Sequence, residues 1–99
     1  MTYNITERNG KNMAEEKANE TRVAIIGIIV ENGNAVQPMN ELLHAYGDSI
    51  IGRMGIPHRE RGISIISIAI ESSAETINAL TGKLGRIDGI SAKATFSKV

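Results

Sequence analysis

Ninety-nine residues bound this chain to a single domain, and its first twenty-one are too polar to add much to a core. Hydrophobic residues make up 41 %, charged residues 22 % and aromatics 3 %, a globular composition with few rings that excludes disorder throughout. Eleven basic and eleven acidic side chains leave a formal net charge of zero, so direct nucleic-acid binding is not expected.

The absence of cysteine removes disulfides, thiol nucleophiles and thiolate metal ligands. The longest apolar run, Val23 to Val30, is far short of the ~20 residues that cross a bilayer, and no signal segment opens the chain. A cytoplasmic location without membrane partners is expected.

Residues 1–21 scatter Glu7, Arg8, Lys11, Glu15, Glu16, Lys17 and Glu20 among Asn and Thr, and read as a polar, flexible N-terminal arm. Residues 22–99 form the predicted domain. It opens with Arg22 to Val30, a continuous β-branched run of strand length closed by the turn residues Glu31-Asn-Gly-Asn34. Asn34 is the expected cap of a helix from Ala35 to Tyr46, along which Val36, Met39, Leu42, Leu43 and Tyr46 recur at helical spacing. Pro38 is tolerable in its first turn, and Gly47 is the expected stop.

A second strand is predicted over Ser49 to Ile56, with Ile50, Met54 and Ile56 on one face, Ile51 and Arg53 on the other, and Pro57 ending it. The charged connection Pro57 to Gly62 leads into a third strand, Ile63 to Ile70. Ser72 and Glu75 match a capping box for a second helix with the stripe Ile77, Leu80, Leu84, Ile87, for which Gly85 is the expected C-terminal cap. Asp88-Gly89 then turns into a one-faced fourth strand, Ile90 to Ser97.

The order β-α-β-β-α-β predicts an α+β, ferredoxin-like fold, with a four-stranded antiparallel sheet and two helices on one face. Right-handed crossovers place the first and third strands in the centre. Those two segments are apolar on both faces, whereas the helices cover only one. Val23, Ile25 and Ile29 with Ile63, Ile65 and Ala69, or else their alternates, would be left open in a monomer. Such patches mark interfaces, so a homo-oligomer, dimer or tetramer, is expected.

Elimination narrows the function. The central strands carry no ring on which a base could stack, and no Cys-x-x-Cys follows the first strand for a metal carrier. The first loop has no arginine for a phosphate ester, and Gly82-Lys-Leu-Gly85 ends a helix rather than opening one. No catalytic residues are assigned, and an enzyme is not expected. His44 and His58 are the only histidines, a weak basis for a metal site that usually takes three or four ligands.

Arg53, Arg59 and Arg61 around Glu60 form either a solvated charged loop or an anion site. Arg53 is expected on the face opposite Ile50 and Met54, toward a subunit boundary. Glu31, Asn32, Gly33 and Asn34 form either a plain turn or, at a helix N-terminus, a receptor for an electronegative ligand atom.

Arg22 to Lys98 resembles a small family of regulators of the iron-only hydrogenase system, related to ACT-like domains and to the C-terminal regulatory domain of nickel-responsive repressors. The resemblance is carried by Val30-Glu31, Asn40-Glu-Leu-Leu-His44, Arg53-x-Gly55-x-Pro57-x-Arg59-Glu60, and Ala79-Leu-Thr-Gly-Lys-Leu-Gly85 with Gly89. It implies an oligomeric, non-enzymatic, ACT-type regulatory domain, with a small-molecule effector near Glu31 to Asn34 at a subunit interface. It names no cofactor. The alternative is an adaptor that docks on a hydrogenase-system protein and has no small-molecule site. Kinship with nickel repressors would imply metal sensing, but the absence of cysteine and the presence of two histidines depart from that site.

Overall fold

The computed structural model describes residues 20–99. The reading of residues 1–21 as a flexible arm therefore lies, but for its last two positions, outside the described residues.

Four strands and two helices alternate as expected: β1 (Arg22–Val30), α1 (Val36–Ala45), β2 (Ile50–His58), β3 (Ile63–Ser72), α2 (Ala74–Gly85) and β4 (Ile90–Phe96). Short 3-10 turns at Gly33–Ala35 and Gly47–Ser49 flank α1. The strands pair antiparallel in the order β2-β3-β1-β4, so the two segments that are apolar on both faces are central.

Period-two alternation sorts each strand between two environments. Ala24, Ile26, Ile28 and Val30 of β1 and Ile66, Ile68 and Ile70 of β3 are buried beneath Met39 and Leu43 of α1 and Ile77, Leu80 and Leu84 of α2. No polar side chain among the described residues is buried, so this layer is held by apolar contact. The helices add cross-links at their solvent edge, where Lys83 Nζ donates to Tyr46 Oη at 2.9 Å and lies 5.4 Å from its ring.

The opposite face carries Val23, Ile25, Gly27 and Ile29 against Ile65, Ser67, Ala69 and Glu71 in register. Nothing covers it. The structure thus resolves which alternates face away from the helices: Val23, Ile25 and Ile65 are exposed, and Ile29, Ile63 and Ala69 half-buried.

Several local expectations are corrected. β2 continues through Pro57, which pairs with Ser64, because an edge strand has a solvent side where a missing N–H costs nothing. Asn32, rather than Asn34, supplies a cap, and it caps the 3-10 turn, its Oδ1 accepting from Asn34 N–H at 2.9 Å, while α1 starts after Ala35 with no side-chain cap. Ser73, rather than Ser72, caps α2, its Oγ accepting from Thr76 N–H at 3.1 Å, while Ser72 still pairs with Arg22 in the sheet. Neither Gly47 nor Gly85 ends its helix in the left-handed region, and the positive φ values belong to Gly62 and Gly89.

Gly89 has a strict requirement. Its φ is +89°, and a Cβ there would lie 2.6 Å from Asn32 Cβ. The absence of that carbon lets the turn before β4 close on the end of β1, where Glu31 N–H donates to the Gly89 carbonyl at 2.7 Å. At the other end of β1, Ser97 N–H donates to the Val23 carbonyl at 2.8 Å, and Arg22 reaches both the Ser97 carbonyl and the face of Phe96.

Candidate functional site

The largest departure from sequence expectation lies in β2 and decides where Arg53 points. Ile50 pairs with Ile70 and Gly52 with Ala69, so Ile51 is an extra residue bulged out of the ladder. Each residue beyond it changes face. Arg53 pairs with buried Ile68 and lies on the helix side, whereas Met54 and Ile56 pair with Ser67 and Ile65 on the open side. The expectation that Met54 and Ile56 share a face with Ile50, and that Arg53 opposes it, is therefore reversed.

This reversal builds a cleft. Asn40, Leu43 and His44 of α1, Gly47 of the following turn, Ile50 and Arg53 of β2, and Ile68 of β3 line a space of about 280 Å³ between the first helix and the edge strand. Its base is apolar, because Leu43 and Ile68 are buried and Ile50 is half-buried. Its rim is polar: Arg53 Nη1 donates to Asn40 Oδ1 at 2.9 Å, and His44 belongs to the same lining. Asn40 is the guanidinium's one hydrogen-bond partner among the described residues, and no acidic side chain lines the cleft.

The other candidates lie elsewhere. β1 ends beside the start of β3, so Glu31, Asn32, Gly33 and Asn34 occupy the same end of the sheet as the Arg59–Gly62 turn that carries Arg59 and Arg61. Arg59 is six residues beyond Arg53, roughly 20 Å along an extended strand. All three arginines are exposed, but Arg53 is separate from the other two.

Three of the amides at this helix start are engaged within the turn. Asn34 N–H reaches Asn32 Oδ1, Ala35 N–H reaches the Asn32 carbonyl, and Val36 N–H reaches the Gly33 carbonyl. His44 is on α1 and lines the cleft with Arg53, whereas His58 ends β2 five residues beyond Arg53, roughly 17 Å farther along the strand. No group of three or more His, Cys, Asp or Glu among the described residues gathers where a metal could be held.

Sequence reasoning picked out Arg53 and His44 but missed Asn40 and Gly47 as their companions. The signal available was spacing: Asn40 and His44 are four apart, hence on one helix face.

A four-stranded antiparallel sheet in this order, with two helices on one face, defines a ferredoxin-like α+β domain. The family model TM1266-like, described as "Iron-only hydrogenase system regulator, putative", matches residues 22–94, and the chain belongs to that family. The solved structure of uncharacterized protein TM1266 from Thermotoga maritima superposes with a TM-score of 0.77 at 39 % identity, covering 80 % of this chain and 100 % of that one.

A relative named "Putative nickel-responsive regulator", from Saccharolobus solfataricus, is 33 % identical over 72 residues, 73 % of this chain. The chain spans about half of that relative, 53 % of its length. The nickel in that name finds no matching donor set among the described residues of a single copy here. No helix among the described residues is long and apolar enough to cross a membrane.

Proposed function

We propose that this chain is a non-enzymatic regulatory domain of the iron-only hydrogenase system, which assembles into a homo-oligomer through the open face of its sheet and responds to a small ligand bound across the edge strand from that interface. Family membership supplies the system. The observation that carries the assembly is the apolar face itself, on which Ile25 is 53 %, Ile65 42 %, Ile56 65 % and Met54 72 % exposed. These residues share one face across three adjacent strands, β2, β3 and β1, and at ~25 cal/mol per Å² their burial is a strong driving force.

Polar groups limit the patch to one side. Ser91, Lys93 and Thr95 of β4 pair with Ile29, Gly27 and Ile25, so the fourth strand gives the apolar area a polar rim.

Coupling to a ligand follows from β2. Arg53 lines the cleft on one side of the strand, and its neighbour Met54 lies on the assembly face on the other. An edge strand held to the sheet along one side can transmit a small tilt between the two.

Native mass spectrometry of the full chain tests the reading. We expect a dimer or tetramer, converted to a folded monomer by Ile25→Asp with an unchanged circular dichroism spectrum. A wild-type chain that is monomeric at tens of micromolar would overturn it, and would move the open face to the surface of a hydrogenase-system partner.

A further inference from the structure

We infer that the cleft between α1 and β2 is a binding site for a short aliphatic carboxylate, read by Arg53 and seated on Leu43, Ile50 and Ile68. The inference rests on the reading of the chain as a ligand-responsive domain, and supplies the site and the chemical class of the ligand.

Four observations carry it. The guanidinium is tethered through Nη1 to Asn40, which draws it toward α1 and leaves its remaining donors for an anion. His44, on the same helix face one turn beyond Asn40, adds a second polar group at the rim. The base is formed by aliphatic side chains, which favour an alkyl group over water or a hydrated ion. A volume of about 280 Å³ lies below the ~300–1,000 Å³ of pockets for drug-sized ligands, so the occupant is small.

The lining also discriminates. It contains no aspartate or glutamate to pair with an α-ammonium group. An amino acid would place its positive charge beside Arg53 without compensation, so the cleft favours the simple acid over its 2-amino analogue. Inorganic phosphate would leave the apolar base empty.

The test is an amide NMR titration of the full chain with sodium butyrate, with 2-aminobutyrate, n-butylamine and inorganic phosphate as controls. Butyrate is expected to give saturable shifts at Asn40, Leu43, His44, Gly47 and Arg53. The 2-amino acid and phosphate should bind at least about tenfold more weakly, the scale of one charge-assisted hydrogen bond lost or opposed. Arg53→Gln should weaken butyrate by at least about tenfold, and Arg53→Lys by less, because the point charge survives and the fork does not.

Arg53 is exposed, so both variants should fold, as a superimposable amide spectrum would verify. Shifts that fail to saturate, that map outside the cleft, or that persist at wild-type affinity in Arg53→Gln would overturn the site. Native mass spectrometry with and without butyrate separates the two readings. Saturation of the cleft with no change in assembly leaves the site standing and removes the ligand response, whereas an oligomer with no saturable binding removes the site alone.

Discussion

Gly89 shows how one missing methyl group shapes an end of the sheet. Alanine there would carry an unfavourable φ of +89° and press its Cβ to within 2.6 Å of Asn32. The two effects together should cost about 1–3 kcal/mol, read as a lower urea midpoint at unchanged slope. Adding Asn32→Gly should recover part of the loss, since it removes the other carbon of the contact. A turn at Asp88-Gly89 was legible, but the contact of Gly89 with Asn32 was not, because the two are 57 positions apart in sequence. Arg53 shows the same limit more sharply. Its residue type left open a solvated loop or an anion site, and its direction depends on the bulge at Ile51, of which the adjacent Gly52 was the one sign in the sequence.

Among the elements, the strands and helices were legible wherever one period dominated. β1 and β3 announced two-faced strands through isoleucine-rich runs with apolar residues at both parities, and α2 announced its buried side through Ile77, Leu80 and Leu84. β2 misled because period two is interrupted at Ile51, so a pattern read from Ile50 onward assigns every later residue to the wrong face. Caps were misplaced by one or two residues because Ser72 and Ser73, like Asn32 and Asn34, are chemically alike, and only the three-dimensional start of each turn distinguishes them. The distinction is measurable: Ser73→Ala should cost α2 about 1 kcal/mol in equilibrium denaturation, whereas Ser72→Ala should stay within about 0.5 kcal/mol.

At the scale of the whole molecule, the described residues form a two-layer domain in which one side of the sheet has no layer of its own. Self-association across that side would be driven by apolar burial and should survive 1 M sodium chloride, where charge interactions reach only ~3 Å, yet weaken on cooling. Sedimentation equilibrium at low and high salt, and at two temperatures, measures both. The hydrogen bond from Ser97 to Val23 has a different consequence. Because the first and last strands of the domain are neighbours, its two ends leave the sheet side by side, like the two leads of a plug. Such a unit can be spliced into the middle of a longer polypeptide without prying it open. Its strand order can equally be cut elsewhere: a version with Ser97 joined to Arg22 through a short glycine linker, and opened at the Arg59–Gly62 turn, should regain the native amide spectrum.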